Sequence, residues 1–358
     1  MKLYVASTSS FAGKTLVALS LAKLWAREGV SIGYVKPLGK IPVVEDGRVV
    51  DEDASFMAGE LGLQGPPDTV CPVVITQDIV MAAYRGEPLR LRERIAGAVS
   101  GAASSADVLL LGGAANLRDG VFLGISPLAL ISELDCKVIL VDRFSGEKSM
   151  DQILWAAGEL KERLLGIVLN RVSPPQEEFL RDTVLPYFAA RHIRVFGAIP
   201  SDALLDSVSV RKLADSLGAD VVCGEGSLGN LIERFCVGAM DVDSALRVFR
   251  RIPRKAVITG GHRTDIQLTA LETDTSCLVL TGGVAPNDHI LNRAQEAGVP
   301  ILVVQEDTLL TVEKFETMIG RLRIRERAKI DRGVELVRGN VDTGGILAAL
   351  RGDGARRK

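Results

Sequence analysis

Residues 7–15 read Ser-Thr-Ser-Ser-Phe-Ala-Gly-Lys-Thr, directly after a short apolar run and directly before a helical pattern with Val17, Leu21 and Leu24 on one face. A loop in that setting aims backbone N–H groups and the positive end of a helix at phosphate oxygens. Lys14 would reach the β- and γ-phosphates of a nucleotide, and the Thr15 hydroxyl would bind Mg²⁺. The expected nucleotide-binding residues are therefore Ser9, Ser10, Phe11, Ala12, Gly13, Lys14, Thr15 and Leu16, with ATP as the ligand. The first glycine of the pattern G-x-x-x-x-G-K-[ST] is replaced by Thr8, and a plain strand–helix turn is the alternative reading.

The elements around that loop alternate between two periods. Residues 3–6, 31–35, 108–111, 137–141, 166–169 and 194–196 are short apolar runs, and stretches such as 16–28, 149–163 and 177–192 carry helical spacing between them. Strands that are apolar throughout, each followed by an amphipathic helix, predict a parallel sheet covered on both faces. The fold class is doubly wound α/β. Residues 207–224 read as a connector helix into a second, smaller α/β unit with strands at 255–258, 277–280 and 301–304. The expected boundaries are 1–220, 221–330 and a C-terminal tail at 331–358. From residue 321 onward there are 11 basic and 5 acidic residues, read as a solvated helix end and a frayed tail.

The loop resembles the G-T-D-T-x-V-G-K-T segment of dethiobiotin synthetases, with Ser7 where that family has its leading glycine. Gly33-Tyr34-Val35-Lys36-Pro37 is similar to the family's G-Y-x-K-P, and Asp53-Ala54 falls at its metal-binding Asp-Ala. The strand 166–170, ending in Asn170, resembles the one whose Asn reads adenine, and Gly197-Ala198-Ile199-Pro200 matches the following G-x-I-P. The resemblance implies catalytic roles for Lys14 and Lys36, metal ligation by Thr15 and Asp53, and nucleotide contacts from Asn170 and Pro200. The run Asp51-Glu52-Asp53 also reads as an acidic helix start complementing the dipole. Lys36 also reads as a solvated lysine before a Pro turn.

The chain departs from that family after the strand 107–111, where Gly112 stands in place of a glutamate. Asp119 lies downstream as a possible substitute. Residues 258–267, Ile-Thr-Gly-Gly-His-Arg-Thr-Asp-Ile-Gln, resemble the opening of a DRTGG domain, with His262 in place of its leading Asp. Arg263 and Thr264 could hold an anion there; tight turns are the alternative. A dethiobiotin-synthetase-like domain followed by DRTGG is the N-terminal arrangement of long phosphate acetyltransferases. The resemblance thus implies an ATP-binding regulatory or sensor protein, with a small-molecule metabolite at the DRTGG domain and no acetyl transfer of its own. The alternatives are an ATP-dependent ligase of the dethiobiotin synthetase or cobyrinic acid a,c-diamide synthase type, and an interaction scaffold with a vestigial loop.

Composition excludes other classes. The 358 residues are 47% hydrophobic and 25% charged, and 43 basic against 45 acidic residues leave a net charge of -2. That balance speaks against a nucleic-acid or anionic-membrane partner. No apolar run approaches the length of a membrane span. Five scattered cysteines form no CxxC pair, which points to a reducing, cytoplasmic setting. A homo-oligomer is expected.

Overall fold

The computed structural model describes residues 1–320 and 325–352. It divides the chain into two compact units, the first made of Met1–Ser201 together with Ile324–Lys358, the second of Asp202–Arg323.

The first unit is built on six parallel strands: β1 (Lys2–Ala6), β2 (Ile32–Val35), β5 (Val108–Gly112), β6 (Lys137–Arg143), β7 (Leu164–Val172) and β8 (Val195–Pro200). Their order is β2-β5-β1-β6-β7-β8. Apolar runs such as Val108–Gly112 are buried along their whole length, because helices cover both faces of the sheet. Helix α1 (Lys14–Arg27) follows β1 and is apolar almost all round. Between β2 and β5 lies an insertion with the hairpin β3 (Pro42–Glu45) and β4 (Arg48–Asp51). Helices α2 (Glu52–Leu61), α3 (Pro67–Val70), α4 (Gln77–Tyr84) and α5 (Leu91–Ala103) complete it. Later helices include α6 (Pro127–Glu133) and α7 (Glu147–Leu160).

The C-terminal segment corrects the expected frayed tail. Residues Arg327–Asn340 and Thr343–Arg351 are helices. The first packs on α1, which explains why α1 needs no polar face. Trp25, fully buried on α1, donates its indole N–H to the Thr343 carbonyl at 3.1 Å. Val341 bridges Gly197, and the Asp342 N–H donates to the Phe196 carbonyl at 2.8 Å, so this segment covers the open edge of β8. The basic surplus is partly spent inside the fold, where Lys329 is buried within 3.7 Å of Glu326. Residues 353–358 of the expected tail lie outside the described residues.

The second unit carries a five-stranded sheet in the order Asp220–Cys223, Ile301–Val303, Thr275–Thr281, Lys255–Gly260, Arg234–Val237. Only the first of these runs antiparallel to its neighbour. Side chains alternate between two cores: Ala256, Ile258, Cys277 and Val279 face one, Val257, Leu278 and Leu280 the other. The expected connector 207–224 is not one helix. It comprises a strand Val208–Ser209, a helix Val210–Leu217 and the edge strand Asp220–Cys223. Val210, Leu213 and Leu217 form an apolar stripe, buried in a core of this unit. Among the described residues no helix is long and apolar enough to cross a membrane.

The edge closure of β8 rests on a residue without a side chain. A Cβ at Gly197 would lie 2.0 Å from the Asn340 carbonyl oxygen and 2.7 Å from the Val341 Cα, backbone that cannot step aside. Gly197→Ala is expected to lower stability by about 1–3 kcal/mol in urea denaturation. Gly158→Ala on α7, where a Cβ meets nothing within 4 Å, is expected to cost nothing.

Candidate functional site

The loop between β1 and α1 is closed by contacts a plain turn would not need. Gly13 takes φ 105°, a conformation that strains any residue with a side chain. A Cβ there would sit 2.1 Å from the Asn170 side-chain nitrogen. Asn170, at the end of β7, donates that nitrogen to the Ala12 carbonyl at 2.8 Å and accepts the Arg171 N–H at 2.9 Å. The residue expected to read adenine therefore braces the loop. Pro200 ends β8, paired with Val172 and three strands from β1 in the sheet. The N–H groups of the first turn of α1 have no side-chain cap and no acidic neighbour in that turn. They form the donor end of a 14-residue helix.

Lys14 lies back along the loop. Its Nζ donates to Ser7 Oγ at 2.6 Å and to the Ala115 carbonyl at 3.1 Å, and Ser7 donates to the Ser9 carbonyl at 2.6 Å. The serine in place of a leading glycine thus anchors the lysine. Burial pushes the Lys14 ammonium down to about 8, against the pull of Asp142 and with a push from Lys36. Asp142, near the end of β6 and 3% exposed, accepts the Thr8 N–H at 2.9 Å and the Ser9 hydroxyl at 3.0 Å. Burial raises its carboxyl above the usual range despite those donors. Asp142 was not among the expected site residues; its only signal is a carboxylate ending the apolar run Val-Ile-Leu-Val.

Lys36 follows β2 and is buried, not solvated. Its Nζ meets Asp51 Oδ1 at 2.6 Å and Asp53 Oδ2 at 3.2 Å. Burial alone would lower its pKa, but Asp53 and Asp51 outweigh that and raise it. Asp51 caps α2 through the Ala54 N–H at 3.0 Å, and its other oxygen accepts the N–H groups of Lys40 and Ile41 at 2.9 and 3.0 Å. Asp53 holds Lys36 on one oxygen and the Arg325 guanidinium on the other. The structure brings Lys14, Lys36, Asp53 and Asp142 into one electrostatic neighbourhood.

The expected metal set takes a different form. A Cβ at Gly112 would lie 2.2 Å from the hydroxyl oxygen of Tyr34 and 2.9 Å from its Cζ. The phenol of the Gly-Tyr-Val-Lys-Pro motif thus fills the space beside this glycine. Asp119 pairs with Lys40 at 2.8 Å and accepts the Asn116 N–H at 2.9 Å. No group of three His, Cys, Asp or Glu residues suited to a metal ion occurs among the described residues. Of the expected ligands, Asp53 is engaged by two cations and Thr15 offers one hydroxyl. That donor set does not make a carboxylate-held Mg²⁺ site.

In the second unit, Arg263 does not face an open anion site. It forks onto Asp265 at 2.9 and 3.0 Å and donates to the Met240 carbonyl at 2.9 Å. Gln267 donates to the Gly261 carbonyl at 2.9 Å, tying the glycine pair to the following helix. The five cysteines are free thiols.

The Gly112–Tyr34 contact is testable by a double-mutant cycle. Gly112→Ala is expected to cost about 1–3 kcal/mol in chemical denaturation. Tyr34→Phe removes the nearest atom, so the two changes together should cost less than their sum. Strict additivity would show that the phenol does not limit this position.

Residues 1–209 match the AAA domain family, and residues 212–318 match the DRTGG domain family. A phosphate acetyltransferase of Pseudomonas aeruginosa is 24% identical over 364 residues, covering 95% of this chain and 50% of the relative. Another, from Synechocystis sp., is 24% identical over 365 residues, covering 98% of this chain and 52% of the relative. The chain spans about half the length of the curated relatives it matches. Among solved structures, the MinD cell division protein of Aquifex aeolicus is 13% identical with a TM-score of 0.37, covering 57% of this chain and 83% of that one. The CBS and DRTGG domains of the regulatory region of a Clostridium perfringens pyrophosphatase, complexed with the activator diadenosine tetraphosphate, are 15% identical with a TM-score of 0.29. They cover 43% of this chain and 74% of theirs. More than half of the sequence lies within the first match, and the chain belongs to the AAA domain family, with a DRTGG domain behind it.

Proposed function

We propose that the first unit is a nucleotide-binding regulatory module, with ATP as its ligand, and that the DRTGG unit takes a second small molecule. Lys14 carries this reading. A lysine held by Ser7 and the Ala115 carbonyl, beside an uncapped helix start, is a cation kept in place for an anion. The length shared with phosphate acetyltransferases supports a regulatory role like the one expected of their N-terminal half. The chemistry at Gly112 favours binding over phosphoryl transfer, which depends on positioned metal and charge neutralisation. Five free thiols fit a reducing compartment.

Calorimetric titration of the full chain with ATP tests the reading. Wild type is expected to bind and Lys14→Ala to lose binding, with no release of phosphate; absence of binding at millimolar ATP, or robust turnover with diaminopelargonate and bicarbonate, overturns it. A fragment of residues 1–219 would not serve, because it lacks the helices that cover α1 and the edge of β8.

The pH profile gives a second readout. The Lys14 ammonium sits among Asp142, Lys36, Asp53 and Asp119 and titrates at about 8. Above that value the free protein presents a neutral amine to the phosphates. Affinity is therefore expected to fall as pH rises, by about tenfold between pH 7 and pH 9. The same shift affects folding in the opposite sense. The folded state releases this proton near pH 8 and the unfolded chain only near 10.5, so between those values this group makes the protein more stable as pH rises.

A further inference from the structure

Among the described residues, the four carboxylates of the cluster around Lys14 and Lys36 are already engaged, while Asp151 lines the pocket beside Thr8. Asp142 is taken up by the Thr8 N–H and the Ser9 hydroxyl, Asp119 by Lys40 and Asn116, and Asp51 by three backbone N–H groups and Lys36. Asp53, which the sequence resemblance offers as a metal ligand, lies between two cations, Lys36 and Arg325. The Arg325 guanidinium is itself held: it stacks 4.1 Å from the centroid of the Phe56 ring on α2 and lies 3.9 Å from Glu52. A divalent ion bound to Asp53 would have to enter beside two fixed positive groups, where like charges repel.

Resting on the nucleotide-binding reading above, we infer that this site takes the nucleotide as its free polyanion, and that Arg325 with Lys36 provides from within the chain the positive charge that a divalent ion would otherwise bring to Asp53. Mg²⁺ chelated by the phosphates brings little gain, because of the two expected ligands Asp53 is already held by Lys36 and Arg325 and the Thr15 hydroxyl alone is left. Arg325 is a positioning residue: it shares the charge of Asp53 with Lys36, while Lys14, resting on neutral oxygens, is the least compensated cation toward phosphate. Its guanidinium suits this task, since a planar, weakly hydrated cation can stack on the Phe56 ring while pairing with a carboxylate.

The test is a calorimetric titration of ATP into the full chain, once in excess EDTA and once in excess magnesium chloride, for wild type, Arg325→Gln and Arg325→Lys. Wild type is expected to bind in EDTA, and Mg²⁺ to raise its affinity by less than about threefold. Arg325→Gln is expected to bind more weakly in EDTA and to recover at least about threefold on adding Mg²⁺, because Asp53 then has an oxygen to offer. Arg325→Lys, which keeps the charge and covers the case of an unfolded glutamine variant, is expected to follow wild type. A wild-type gain of about threefold or more from Mg²⁺ overturns the inference and leaves nucleotide binding standing. Arg325→Gln behaving as wild type in both buffers, or Arg325→Lys becoming Mg²⁺-dependent, removes the role given to Arg325. No binding in either buffer overturns both readings.

Discussion

The Asp51 carboxylate is the point on which the phosphate end of the first unit turns. It is fully buried, and a buried charge is tolerated only when its hydrogen-bonding capacity is met. Here one oxygen meets Lys36 and the Ala54 N–H, while the other meets the N–H groups of Lys40 and Ile41. One side chain thereby fixes the start of α2, the strand exit before the hairpin and the direction of Lys36. The fit is close enough to dictate a neighbour: a Cβ at Gly39 would lie 2.6 Å from the Cβ of Asp51. Such a group favours one geometry over its alternatives more than it adds net stability.

From that fixed point the charges form a graded series. Lys36 is balanced by Asp51 and Asp53, Asp53 is shared with Arg325, and Lys14, answered at a distance by Asp142, rests on neutral oxygens. Lys14 is thus the least compensated cation of the set, and burial, only partly answered by Asp142, lowers its pKa. The Gly13 turn and the Asn170 brace hold the backbone donors in register with it.

How much of this was legible in the sequence follows from how local each signal is. The loop, Lys36 and Asp53 lie in short runs whose order and residue types carry meaning by themselves. The helix-start reading of the acidic run holds for Asp51, which caps α2; that the same carboxylate binds Lys36 lay in neither reading. Asp142 was missed because a single Asp at a strand end resembles any polar stop. Arg325 was out of reach, since it stands 272 residues from Asp53 and belongs to a basic stretch with the composition of a solvated tail. Tyr34 was read as motif, whereas its bulk decides what can stand at position 112. The parallel sheet was readable because burial on both faces leaves continuous apolar strands, while the helical spacing of Ile330, Val334 and Val337 does not say which surface that stripe packs on.

The discontinuity of the first unit has a consequence for biosynthesis. Its opening strands and α1 leave the ribosome first, but the helix that covers α1 and the segment that closes β8 follow only after the whole of Asp202–Arg323. At about 5–20 residues per second, the edge of β8 remains uncovered for at least roughly 6–25 seconds of translation, and Trp25, 318 residues ahead of its partner Thr343, for roughly 16–64 seconds. During that interval the nascent chain presents an apolar helix flank and an unpaired strand edge, the surfaces that holdase chaperones bind and that pair with neighbouring nascent chains on a polysome.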